Sequence, residues 1–258
     1  VFPSDAVTKQ FLTAQGRAKD FVEIVPDKGA KYDDTFTIDL SKVEPLMAAP
    51  HSPGNIITVK SMKGKKVNQI LIGSCTNSSY RDIRTVALYL KGKHVADDLE
   101  VGIACGSRQV IEMLAKDGSL EILHRAGCRM LENACGFCIG AHMSPRTGAI
   151  SLRTNNRNFE GRSATRDAKV YLVSPVTAAQ CALNGCFTDP ATWGEAPAHP
   201  DFPADIPSGR HHFLFPVESE EERAKVEILR GPNIAALEQF EALPAVLGGK
   251  VTLKVGDG

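Results

Sequence analysis

Apolar and polar positions change their spacing twice along this chain, and those changes mark out its parts. Near the start, Val7, Phe11 and Leu12 recur at helical spacing behind Ser4 and Asp5, either of which can cap, so a helix is predicted from Ala6. Alternation over Thr35-Phe36-Thr37-Ile38-Asp39-Leu40 predicts a half-buried strand. Three prolines between Pro45 and Gly54 then read as a connector. From about residue 66, short apolar runs at Val67–Ile72, Leu99–Ala104, Ala149–Leu152 and Val170–Val173 predict strands. Helical patterns at Tyr80–Leu90, from Gln109 through Leu114, and from Pro175 to about Leu183 separate or follow them.

Strands separated by helices of this length imply βαβ units, hence an α/β fold: a mostly parallel sheet between helical layers, three-layer α/β/α. In such sheets ligands bind beyond the carboxyl ends of the strands. Cys75 falls just past the first of these strands, and Asn155-Asn156-Arg157-Asn158 just past the one at 149–152.

Past Phe187 the pattern dissolves. Six of the fifteen prolines lie in residues 187–216, which predicts an extended segment that wraps the surface. A short helix fits Glu218–Leu229, and Gly249-Lys250-Val251-Thr252-Leu253-Lys254-Val255-Gly256 reads as the first strand of a further unit. The expected organisation is therefore residues 1–50 as the end of a preceding α/β domain, 51–186 as the main α/β domain, 187–245 as a Pro-rich linker with a helix, and 246–258 as the start of another domain. Both termini read as cut points within a longer parent.

Composition narrows the class. The 258 residues are 43% hydrophobic and 23% charged, with 30 Lys and Arg against 30 Asp and Glu. Those are globular proportions, and a net charge of zero argues against a nucleic-acid surface driven by bulk charge. No apolar run approaches the roughly 18 residues of a membrane span, and Val1-Phe2-Pro3-Ser4-Asp5 has no basic region of the kind that opens a secretory leader. Seven cysteines, an odd number in a long chain, fit a reducing compartment better than a disulfide framework.

Three stretches carry candidate chemistry. In Ile72-Gly73-Ser74-Cys75-Thr76-Asn77-Ser78-Ser79, small residues between strand and helix leave backbone N–H groups free to face an anion, and Cys75 is a candidate ligand or nucleophile. Ala134-Cys135-Gly136-Phe137-Cys138-Ile139-Gly140 places two thiols at C-x-x-C spacing beside glycines, the pattern of metal or redox chemistry. Cys105 or Cys128 could add a fourth thiolate, for zinc or a fully ligated iron–sulfur cluster. Cys181 and Cys186 read as packing. In Thr154-Asn155-Asn156-Arg157-Asn158-Phe159-Glu160-Gly161-Arg162, two arginines five apart offer planar donor forks that match carboxylate or phosphate. His142, near the C-x-x-C, reads as packing or surface, and His211-His212 suggest no metal spacing.

Together, Gly73 to Tyr80, Ala134 to Gly140 and Asn156 to Arg162 resemble the signatures of the aconitase family of iron–sulfur hydro-lyases, in family order and at family-like separations. Shorter matches run from Val1-Phe2-Pro3 through Gly106-Ser107-Arg108-Gln109 to Gly231-Pro232-Asn233-Ile234. The resemblance implies that Cys75, Cys135 and Cys138 ligate three irons of a [4Fe–4S] cluster. The fourth iron is then open to substrate and acts as a Lewis acid. Asn156 would lie beside the cluster, with Arg157 and Arg162 holding substrate carboxylates. The implied reaction is reversible dehydration and hydration of a tri- or dicarboxylate, citrate to isocitrate through cis-aconitate.

Phe137 and Cys105 stand where mitochondrial-type aconitases usually have proline, so homoaconitate, isopropylmalate and methylaconitate are also candidate substrates. An RNA-binding relative that has lost its cluster, and a zinc module built with Cys128, complete the range of functions considered. The family's acid and base residues from neighbouring domains have no counterpart here. The expectation is a cluster-bearing core that has no catalytic base of its own, is inactive until the missing N- and C-terminal domains are supplied, and has a labile cluster. Its expected location is the cytoplasm, or the mitochondrial matrix in a eukaryote.

Overall fold

The structure is a computed structural model that describes all residues except Val1, Ala164, Glu195, His199, Ala204, Asp205, 209–212, Asp257 and Gly258. It divides into two units, residues 1–211 and 212–258.

The first unit is built on a seven-stranded sheet of β1 (Leu46–Ala48), β2 (Ile56–Thr58), β3 (Gln69–Gly73), β4 (Glu100–Ala104), β5 (Arg129–Leu131), β6 (Ile150–Arg153) and β7 (Lys169–Leu172), in the order β2-β1-β7-β6-β3-β4-β5. The pairings from β7 through β5 are parallel, while β1 is antiparallel to both β2 and β7. Among the described residues, five α-helices accompany it: α1 (Ala6–Ala14), α2 (Tyr80–Leu90), α3 (Arg108–Lys116), α4 (Ser119–Arg125) and α5 (Pro175–Asn184). The mostly parallel α/β sheet is the expected architecture.

Alternation along the strands sorts the two faces. Ile70, Ile72, Val101, Ile103 and Leu152 enter one large apolar cluster with Ile83, Val86, Leu90, Leu114, Leu123 and Ala178, so α2, α3, α4 and α5 share that face. Fully burying one such side chain contributes about 1.5–3 kcal/mol. The opposite face holds a small cluster of Leu71, Ala104 and Phe137, flanked by Leu131 and Met143. It is covered by the segment after β5, whose regular element is a 3₁₀ turn over Phe137–Ile139. At Gly102 a Cβ would stand 2.7 Å from Met143 Sδ, so this cover sits directly on the strands.

Local signals explain the best-defined elements. The Ser79 hydroxyl accepts from the Asp82 N–H while the Asp82 carboxylate accepts from the Ser79 N–H, a capping box that starts α2 at Tyr80. Ser174 caps α5, Pro175 occupies its first turn, and Gly185 ends it in the left-handed region.

Described residues of the segment after Phe187 pack on the helical face. Trp193 meets Tyr89 edge-on with ring centroids 5.3 Å apart, Phe202 stacks on Tyr80 at 6.1 Å, and Phe187 is fully buried.

Several expectations are corrected. The run at 35–40 forms no strand, because nothing pairs with it; Phe36 and Ile38 are exposed and a 3₁₀ turn follows at Leu40–Lys42. The Pro45–Gly54 connector contains β1 and leads into β2, strands too short for alternation to reveal, and α4 and β5 likewise fall outside the elements the pattern predicts. In the second unit, the helix expected over Glu218–Leu229 is limited to α6 (Glu220–Ala224), with Val226, Ile228 and Leu229 exposed. Short helices without a packing face are marginal. Residues 249–256 form no strand, and a lone strand has no ladder to join.

Candidate functional site

The sheet reverses its winding at β3. From there the chain proceeds outward through β4 and β5 on one side, then returns to β6, on the other flank of β3, and continues to β7. At such a reversal, the loops leaving the carboxyl ends of neighbouring strands part and leave a crevice. The three candidate stretches follow β3, β5 and β6.

The β3 loop turns sharply. Gly73 has φ +113° and Ser74 φ +72°, so two successive residues take the left-handed half of backbone space. A Cβ on Gly73 would fall 1.8 Å from the Ala104 carbonyl oxygen, which leaves glycine as the residue that fits. The Gly73 N–H donates to Thr154 Oγ1 at 2.8 Å, and Asn77 Nδ2 donates to the Thr154 carbonyl. Thr154 thereby joins the loops after β3 and β6.

The turn then presents its thiol to the loop after β5. Ser74 Oγ lies 3.5 Å from Cys135 Sγ. The Thr76 hydroxyl, with contributions from Ser74 and Cys135, holds the Cys75 thiol below its ordinary pKa. Cys138 is buried and faces the guanidinium of Arg162, whose Nη2 is 3.7 Å from its sulfur. Among the described residues no three His, Cys, Asp or Glu side chains stand together at metal-holding distance. The Cys75 turn approaches Cys135 through Ser74, and Cys138 lies on the Arg162 side of the same C-x-x-C turn.

Two glycines permit that turn. A Cβ on Gly136 would meet His142 Cδ2 at 2.3 Å, and one on Gly140, at φ +82°, would meet the Ser163 carbonyl oxygen at 2.5 Å. His142 thus packs on the C-x-x-C from outside, itself at φ +65°.

Beneath the turn lies a residue that no motif in the sequence singles out. Arg153, the last residue of β6, is fully buried. Its Nη1 donates to the Phe137 carbonyl at 2.6 Å, its Nε to Ser151 Oγ at 3.2 Å, and its Nη2 approaches Gln69 Oε1 at 3.5 Å. Burial pulls the guanidinium down to about 10, and the charge of Cys138 acts in the opposite sense. A weaker signal does exist: in Ile150-Ser151-Leu152-Arg153, period-two alternation puts Ser151 and Arg153 on the face away from the apolar cluster.

The remaining candidates separate. Asn156 and Arg157 are exposed, with Arg157 Nη1 donating to the Asn156 carbonyl at 2.9 Å. Asn155 is buried, and neither atom of its amide has a partner. Cys105 and Cys128 belong to the helix-side core, where burial pushes their thiols up to about 11 and about 12. Neither stands with the other three, which removes the structural basis for a four-thiolate zinc site. Cys181 accepts the Thr188 N–H within the core, in keeping with packing.

Thiol donors on glycine-flanked loops, two guanidinium groups beside them and an unpartnered buried amide in the adjoining loop suit a thiolate-bound iron–sulfur cluster, since soft sulfur donors and hydrogen-bonding cations hold such a group.

A mostly parallel α/β sheet with thiols and arginines on the loops at its reversal of strand order defines an α/β domain with a candidate ligand site at that rim. The model of the aconitase family (aconitate hydratase) matches residues 1–185, and the chain belongs to that family. Among curated relatives, it is 42% identical over 168 residues to 3-isopropylmalate dehydratase large subunit 1 of Methanopyrus kandleri, covering 65% of this chain and 40% of the relative. It is 41% identical over 189 residues to the 3-isopropylmalate dehydratase large subunit of Sulfurisphaera tokodaii, covering 73% and 45%. With large subunit 2 of Archaeoglobus fulgidus it shares 35% over 191 residues, covering 74% and 46%. These matches span less than half the length of each relative.

Proposed function

We propose that this chain supplies the [4Fe–4S]-binding and carboxylate-binding part of a hydro-lyase of the 3-isopropylmalate dehydratase kind. The observation that carries the reading is the approach of the Ser74-Cys75 turn to the C-x-x-C turn at the strand-order reversal, with Ser74 Oγ 3.5 Å from Cys135 Sγ and Arg162 Nη2 3.7 Å from Cys138 Sγ. The relatives' names move the substrate from citrate toward isopropylmalate.

In this reading Cys75, Cys135 and Cys138 hold the cluster, and when bound it offers a Lewis-acidic iron for departure of a hydroxyl group. Arg157 and Arg162 grip the substrate carboxylates through bidentate forks, which fixes the hydroxy acid in one orientation. Asn156 and the unpartnered amide of Asn155 complete the polar wall. The base that takes the proton is assigned to a second polypeptide or domain, in keeping with relatives named as large subunits. Seven free thiols suit a reducing compartment such as the cytoplasm.

Anaerobic reconstitution with iron and sulfide, followed by elemental analysis, tests the cofactor. Equal iron and acid-labile sulfide, lost on Cys75→Ser, is the expected result; zinc without sulfide overturns it. Loaded chain, joined to the missing part of a large subunit and mixed with the small subunit of an isopropylmalate dehydratase, is then expected to turn over isopropylmalate faster than citrate.

A further inference from the structure

Arg153 is a cation sealed inside the protein, and among the described residues no carboxylate forms an ion pair with it. Its donors go instead to the Phe137 carbonyl at 2.6 Å, to Ser151 Oγ and toward Gln69 Oε1. Gln69 is itself anchored: its Nε2 donates to Glu100 Oε2 at 3.1 Å and to the Ser144 carbonyl at 3.2 Å, while its Oε1 accepts from Ser151 Oγ at 2.9 Å. The network runs from the base of the sheet to the C-x-x-C turn. The Arg153 guanidinium also lies beside the Phe137 ring, 5.9 Å from its centroid. Phe137 is the residue between the two thiols, so its backbone carbonyl and ring are both held from below. A buried positive charge is costly unless an anion lies close by. The carbonyl that accepts its Nη1 belongs to Phe137, the residue bonded to Cys138.

We propose that Arg153 is a positioning residue for the iron–sulfur site: it fixes the Cys135–Cys138 turn through the Phe137 carbonyl and places a permanent positive charge under the thiolates that hold the cluster. This inference rests on the cluster reading above. Its substance is that the charge acts on the cluster's electronics as well as on the shape of the turn. Reduction adds negative charge to a cluster, so a nearby cation raises the midpoint potential.

The test compares the whole chain with Arg153→Lys, Arg153→Gln and Arg153→Met. In the absence of metal, hydrogen exchange is followed at the amides of residues 136–140 and, as an internal reference, at those of α2. The expected result for Gln and Met is faster exchange across the turn at least tenfold beyond any change in α2. After anaerobic reconstitution, the midpoint potential is expected to fall in Gln and Met and to be largely restored in Lys, which keeps the charge.

Where Arg153→Met fails to fold, the Lys and Gln pair decides, since those two differ in charge while both retain a donor. A cluster that loads in every variant with unchanged potential, on a turn with unchanged exchange, overturns the inference and leaves the cluster reading standing. Parent chain that takes up no iron and sulfide overturns both.

Discussion

Gly73 lies so close to the backbone of Ala104 that a single added carbon would stand 1.8 Å from the Ala104 carbonyl oxygen. The neighbouring strand's own ladder sets this approach, since β3 and β4 pair from Gln69–Glu100 to Gly73–Ala104. The Cys75 loop therefore leaves β3 through a gap in which no side chain fits, at a φ of +113° that disfavours any Cβ.

Gly73→Ala is expected to destabilise the chain by about 2–4 kcal/mol, from backbone strain together with overpacking. Urea denaturation measures the loss. Because the strain is local to the Cys75 loop, the variant's residual folded fraction is also expected to show weaker coupling between the Cys75 and Cys135 thiols, seen as slower disulfide formation under mild oxidant.

Gly136 and His142 make a second close pair, this one against a side chain. Gly136→Ala places a methyl in the His142 ring and is expected to cost about 1–3 kcal/mol. His142→Ala removes the obstacle, so the double variant should recover most of that loss. A double-mutant cycle by chemical denaturation reads the coupling; strictly additive costs would show that the imidazole yields without resistance.

The Tyr80 hydroxyl donates to Asp117 Oδ2 at 2.7 Å, and burial, aided by the Asp117 carboxylate, pushes its pKa up to about 12 from an ordinary value of 10. A group whose folded pKa is raised adds stability that is present below the unfolded value and lost as the pH climbs through the folded one. Stability is therefore expected to fall between pH 10 and 12 more steeply in the parent than in Tyr80→Phe. Lysine titration occurs in both proteins, so the difference between their denaturation curves isolates the tyrosine.

Trp193 holds the wrapping segment by meeting Tyr89 edge-on and by lying under Lys93 Nζ, 4.0 Å from its ring centroid. Trp193→Ala is expected to cost about 1–3 kcal/mol. It should also speed proteolysis within 187–207 ahead of the sheet. Lys93→Met, which removes the cation alone, should cost less than half as much.

How much of this molecule is legible in its sequence follows the range of each signal. Tyr80–Leu90 is legible with its bounds intact because a capping box, a helical stripe and the following Lys91-Gly92 all agree. β1, β2 and β5 have three residues each, too few for a period to register; β1 and β5 also depend on β7 and β4, distant along the chain, and β2 on β1. The run at 35–40 fails in the opposite direction, with a clean alternation and no neighbour. At the site, cysteine spacing and the arginine loop point to the rim at the carboxyl ends of the strands, where the structure places Cys75, Cys135 and Arg162. That Cys105 and Cys128 turn away into the core depends on which face of the sheet each loop leaves. The role of Arg153 is hidden because a lone arginine in an apolar strand reads as an exception until its three acceptors are in place.

The approach of the Ser74-Cys75 turn to Cys135, with Ser74 Oγ 3.5 Å from Cys135 Sγ, joins positions sixty residues apart, carried by strands at different places in the sheet. No short excised peptide can reproduce it, and a nascent chain has it only once β3, β4 and β5 lie side by side. Proximity of these two sulfurs therefore serves as a checkpoint on assembly: a cross-link between them in cells would mark molecules whose central strands have already come together.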